Sequence, residues 1–170
     1  MFIERIYDDD LAHASWLIGC QSTKEALLID PARDICRYVH IAKIAGLQIT
    51  AVAETHIHAD FLSGAAEFAS AMNTTCYLSA CGDSDWQYKW PANSGTKACF
   101  LNDGDTFKIG SVKVSVMHTP GHTPEHICFV VQDKDSEDPI GIATGDFVFV
   151  GDLGRPDLLE TAAGVKGAME

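Results

Sequence analysis

Three observations on this sequence predict an α/β layered fold that carries a metal site at its strand ends. Short apolar, strand-like runs alternate with segments of helical periodicity, as expected of sheet and helix packed in layers. One run, ITAVAET, leads straight into a loop with two histidines and then into a helical pattern. Two further segments bearing His or Asp, HTPGHT and TGD, also border strand-like runs, so rigid elements can deliver their side chains to a common point.

The elements follow in chain order. Residues 2–7, 13–19 and 25–30 read as an opening meander of strands, with Asp30-Pro31 as the stop signal. A helix is predicted from Asp34, whose carboxylate can accept from an orphan backbone N–H, to Gly46 at the C-terminal end. ITAVAET is a buried strand. Beyond it, Phe61, Ala65, Phe68, Ala69 and Met72 recur at helical spacing, which places Asp60 at a helix N-cap. Residues 79–98 are polar and irregular, with Gly82, Pro91 and Gly95, and read as a surface excursion. From Asp105 the pattern turns to strand again: TFKIG, then Val112, Val114 and Val116 alternating with Lys113 and Ser115, then HICFVVQD and IGIAT.

The 170 residues fit one domain spanning 1–170, and 46% hydrophobic with 21% charged residues is ordinary globular composition. A net charge of −12 without a basic cluster argues against nucleic acid as a partner. The apolar stretches fall short of a membrane span. The start, MFIERIYDDD, has charges where a signal peptide carries its apolar core, so the expected location is the cytoplasm. Cys20, Cys36, Cys76, Cys81, Cys99 and Cys128 form no CxxC pair and read as reduced filler residues.

The chemistry lies in THIHAD (55–60), HTPGHT (118–123) and TGD (144–146). Imidazole and carboxylate are the donors of a borderline divalent ion, and His56, Asp60, His122 and Asp146 read together as one site. In an extended stretch His56, His58 and Asp60 point the same way and can line one pocket. Alone, the His-x-His pair reads equally well as a loop accident. His122, however, sits between Pro120-Gly121 and Thr123-Pro124, a turn that fixes where its imidazole points, and Gly145 permits close backbone approach beside Asp146. His118 and His126 adjoin strands and read as packing or hydrogen-bonding residues. His13 and His40 have no motif around them.

The strings THIHADFLSG, HTPGHTPEH and GDFVFVGDLGRPDLL resemble the metallo-β-lactamase superfamily, and the last is most similar to its persulfide dioxygenase branch, including proteins fused to rhodanese domains. The resemblance covers nearly the whole chain. It implies an αββα sandwich with metal at the sheet edges, and a domain longer than this one, its final strand and helix lying outside residues 1–170. The family's dinuclear pattern is H-x-H-x-D-H, and here Phe61 stands at the last position. No His follows His126 to serve as the family's late ligand.

What the resemblance then implies is a mononuclear site of His56, His122 and Asp146 holding one Fe(II). Two imidazoles and a carboxylate on one face leave positions open for a thiol persulfide and O2 side by side. His58 and Asp60 become catalytic groups that orient ligands, substrate or water, although His58 as a direct ligand stays open. Arg155 is the candidate for holding a carboxylate of a thiol such as glutathione, or else simply pairs with Asp157. The implied reaction is oxidation of a low-molecular-weight thiol persulfide to sulfite and thiol, with a fused or associated rhodanese and a homo-oligomer as possible assemblies. Two alternatives are a glyoxalase II-like thioester hydrolase using zinc-activated water, and a non-catalytic metal-binding domain.

Overall fold

The computed structural model describes residues 1–155 and Asp157. The opening meander forms as β1 (Phe2–Asp8), β2 (His13–Gly19) and β3 (Glu25–Ile29), antiparallel to one another. Helix α1 (Ile35–Ile44) returns the chain to β4 (Gln48–Ala53), which lies parallel to β3, and helix α2 (Ala65–Met72) returns it to β5 (Thr75–Ser79). With β6 (Lys97–Leu101), also parallel, the six strands run in chain order across one sheet. A second, antiparallel sheet holds β7 (Thr106–Ile109), β8 (Val112–His118), β9 (Ile127–Gln132) and β10 (Gly141–Ala143), in the order β10-β9-β8-β7. A small hairpin, β11 (Val148–Phe149) with β12 (Asp152–Leu153), follows.

The two-residue period of a strand sorts side chains between two cores. Leu28, Val52, Cys76 and Leu78 face the helices and pack with Tyr38, Ala42, Ala65 and Phe68. Leu27, Ile29, Ala51 and Ala53 face the second sheet and pack with Val112, Val114, Val116, Ile127, Phe129 and Val131. The described residues therefore make three layers, helices on a sheet on a sheet. The outer helical layer of the expected αββα sandwich is not among them.

Asp34 caps α1 as expected, its carboxylate accepting from Cys36 N–H at 3.2 Å, and Gly46 follows the helix at φ +69°. Asp60 does not cap α2. The helix starts four residues later, with Gly64 as N-cap, because Phe61–Gly64 is used otherwise: Ser63 bridges to Ala32 and Gly64 N–H donates to Pro31 at 2.7 Å. Residues 79–98 also depart from a plain surface excursion, since Ser79 ends β5, Lys97 opens β6, and Tyr88 and Pro91 are buried between them. Of the six cysteines, Cys20, Cys76 and Cys128 are buried, while Cys36 and Cys99 are exposed and fill nothing.

Candidate metal centre

Parallel strands β3 and β4 end side by side, and β8, β9 and β10 of the second sheet bring their connections to the same edge. His56 lies three residues beyond β4, His122 in the β8–β9 connection, and Asp146 three residues beyond β10. One ligand atom from each falls within 4.8 Å of the others. His122 Nε2 stands 3.7 Å from Asp146 Oδ2, and the His56 and His122 rings are perpendicular, their centroids 4.9 Å apart.

Asp30 organises the first ligand loop. It sits at φ +50°, a region that Asp tolerates better than most residues, and is almost wholly buried. Its Oδ1 accepts from Thr55 N–H at 2.7 Å and its Oδ2 from the Thr55 hydroxyl at 2.8 Å. A hydroxyl has one proton to give, so Thr55 Oγ1 acts as acceptor toward His56 Nδ1, 2.9 Å away. That puts the His56 proton on Nδ1 and leaves Nε2 with a free lone pair, the arrangement a metal-binding histidine needs. Burial, reinforced by His58, pushes the His56 pKa down to about 2, so the imidazole is neutral at physiological pH.

His58 is held differently. Its Nε2 lies 3.2 Å from Asp30 Oδ1, and its side chain is buried. Burial opposes a charge on it, but attraction to Asp30 and the hydrogen bond between them, helped by Glu54 and Asp60, outweigh burial and raise its pKa. The same pairing outweighs burial at Asp30 and holds that carboxyl below its ordinary value. Burial raises Asp146, against the attraction of His122. Asp60 itself is exposed, its charge felt at His58 and Asp146. Phe61 packs its ring 4.3 Å from His58 and 4.1 Å from His13, centroid to centroid.

Gly145 makes the approach of the third segment possible. It lies at φ +48°, and a Cβ there would collide with the Thr55 side chain and press on His126 Nε2. Gly154 plays the same part farther along, where a Cβ would meet the Asp146 carbonyl. Arg155 is exposed and forms a two-pronged pair with Asp157, at 2.9 and 2.7 Å.

Several residues of this region escaped the sequence reading. Asp30 looked like a turn residue, because its partners lie 25 and 28 positions away. His13, without a motif, caps Phe61 and bonds the Asp30 carbonyl at 2.7 Å through Nε2. His126, by contrast, is the packing and hydrogen-bonding residue that its place beside a strand suggested: it is fully buried, stacked on His56 at 5.1 Å, with Nδ1 on the Thr119 hydroxyl at 2.9 Å.

Residues 8–167 match the metallo-beta-lactamase superfamily. The chain belongs to that family. A metallo-beta-lactamase structure from Staphylococcus aureus subsp. aureus COL is 47% identical and superposes with a TM-score of 0.88, over 93% of this chain and 47% of that one. The mitochondrial persulfide dioxygenase ETHE1 of Bos taurus is 26% identical over 96% of this chain and 59% of its own length. A hydroxyacylglutathione hydrolase of Polaromonas sp. is 34% identical over 88% of this chain and 52% of its own. The chain thus spans little more than half the length of these curated relatives. The metallo-beta-lactamase fold accounts for the mixed sheet facing an antiparallel one, and the family's metal binding agrees with the His56, His122 and Asp146 group. Among the described residues no helix is long and apolar enough to cross a membrane.

Proposed function

We propose that this superfamily member is an Fe(II)-dependent persulfide dioxygenase, in which His56, His122 and Asp146 hold one iron and a thiol persulfide such as glutathione persulfide is oxidised with O2 and water to sulfite and thiol. The observation that carries the reading is Phe61. Its phenyl ring stands where a dinuclear site needs an imidazole, and His56, His122 and Asp146 remain as three donors close enough together to hold one ion. The donor set fits, since two imidazoles and a carboxylate on one face suit non-haem iron. Iron held there supplies the redox chemistry that O2 activation requires and zinc lacks.

The protein's own groups do the rest. Thr55 and Asp30 fix the His56 tautomer. His58, braced on Asp30, and Asp60 at the rim orient ligands and substrate. Arg155 exchanges part of its pairing with Asp157 for the carboxylate of the thiol. A rhodanese-type sulfurtransferase, fused or associated, supplies the persulfide in this reading, and the setting is the cytoplasm.

A specific finding favours a second reading, thioester hydrolysis by zinc-activated water: the hydroxyacylglutathione hydrolase is more nearly identical to this chain than the dioxygenase is. Metal content of protein purified without oxygen, followed by oxygen uptake with glutathione persulfide, separates the two. About one iron per chain with persulfide-dependent oxygen consumption is the expected result. Two zincs per chain with no oxygen uptake overturns the proposal in favour of the hydrolase. In the same assay Phe61→His raises bound metal from about one to about two per chain, because it restores the missing nitrogen donor.

A further inference from the structure

Glu125 lies three residues past His122 and is fully buried, although nothing in its sequence setting beyond Pro124 marks it. Its Oε1 accepts from the backbone N–H of Ile57 at 2.6 Å, and Ile57 is the residue between His56 and His58. Two positions on, Ile127 N–H donates to the Thr55 carbonyl at 2.8 Å. The chain on both sides of His56 is therefore tied to residues 125–127, which continue directly from His122. The excursion closes over this tie, for a Cβ on Gly82 would press on Glu125 Cβ. The second oxygen, Oε2, is buried and has no hydrogen-bond partner among the described residues.

A carboxyl group enclosed in this way carries a desolvation cost that a surface side chain would not. Burial pushes the Glu125 pKa up, against the pull of the Ile57 N–H. An apolar residue of similar size would avoid that cost, but would strand the Ile57 amide without an acceptor inside the protein. Glu125 thus does at the His56–His122 junction what Asp30 does on the other side of the loop, through a different backbone group.

We propose that Glu125 is a positioning residue that sets the distance between His56 and His122 by clamping the Ile57 amide. The proposal rests on the reading of those histidines as ligands of one ion. The clamp itself is independent of any bound ion, so the two can fail separately.

The test uses the full chain, with Co(II) as a spectroscopic probe and amide exchange followed by NMR. In the metal-free wild type the Ile57 amide is protected from exchange, and in Glu125→Ala that protection is lost. Glu125→Ala weakens Co(II) binding about 10- to 100-fold, the usual range for an outer partner of a metal ligand, and alters the visible Co(II) spectrum. Glu125→Gln, which keeps a carbonyl acceptor on the same stem, restores both protection and affinity to within about threefold. An Ile57 amide that exchanges freely in the wild type overturns the clamp, and this needs no variant to fold. Equal loss of affinity in the Gln and Ala variants also overturns it, since charge rather than the acceptor would then matter. A protected Ile57 in a wild type that takes up no Co(II) supports the clamp and overturns the metal reading instead.

Discussion

The two sides of the candidate centre are built on opposite principles. His56 is buried to 1% exposure, and its neighbours Thr55 and Ile57 are bonded to Asp30, Glu125 and Ile127. His122 and Asp146, with 24% and 37% of their side chains exposed, sit beside turns that rely on Gly145 and Gly154. One wall is fixed by hydrogen bonds made in the dark. The other depends on the absence of side chains, which lets two turns approach closely. The difference teaches that substitutions on the first wall act through unsatisfied polar groups, and those on the second through collision.

The largest expected effect is on the first wall. Asp30→Ala leaves Thr55 N–H, the Thr55 hydroxyl and His58 without their acceptor, and costs about 3–5 kcal/mol, the range for removing one partner of a buried charged pair. Urea denaturation of the metal-free protein measures it. On the second wall, Gly145→Ala costs about 1–2 kcal/mol for the left-handed backbone alone, and the collision with Thr55 adds to that. Its mark is lost metal uptake in protein that still folds. A comparable loss of stability with metal uptake intact would show that the second wall yields.

A third test concerns the floor of the first wall. Burial raises the Glu54 carboxyl from 4.5 to about 7, so the folded state keeps a proton there that the unfolded state has released. Between these values the folded state binds more protons, and stability falls as pH rises. Glu54→Gln removes that loss. Its stability relative to wild type rises from pH 4.5 to 8 by on the order of 3 kcal/mol, most of it before pH 7, which urea curves at pH 4.5 and 8 compare. The smallest effect on the fold is at the rim, where Arg155→Ala leaves the unfolding midpoint unchanged. Under the proposed function it raises KM for a carboxylate-bearing persulfide roughly tenfold, the cost of one charge-assisted hydrogen bond.

How far this could be read from sequence follows the same division. Strands β1 to β4 and the cap of α1 are written in short local apolar runs and in Asp34, and the β8–β9 pattern is equally plain. The segments carrying His56, His122 and Asp146 stand out because each joins a metal-binding residue type to a strand end. Strand β5, five residues long, lay hidden because its parallel partner β6 begins 18 residues after its end, across the excursion. Parallel pairing leaves no turn signature nearby. Asp30 and Glu125 were illegible for a related reason: each acts on a backbone amide 25 or 68 positions away, and a backbone amide has no letter in the sequence. Asp60 misled because Phe61 falls on the helical spacing, while Ser63 and Gly64 are held by Ala32 and Pro31.

Strand β10 is only three residues long and, among the described residues, pairs with β9 alone, yet it leads to Asp146. A slip of one residue along β9 would carry the carboxylate about 3.3 Å away and turn the strand's side chains to the opposite face. An ion bound by His56, His122 and Asp146 therefore recognises a single alignment of that edge, and by mass action draws the chain toward it. Loading the centre is in this sense a proofreading step for the sheet, and saturating metal is expected to narrow the β10 backbone resonances in solution more than those of β3 or β4.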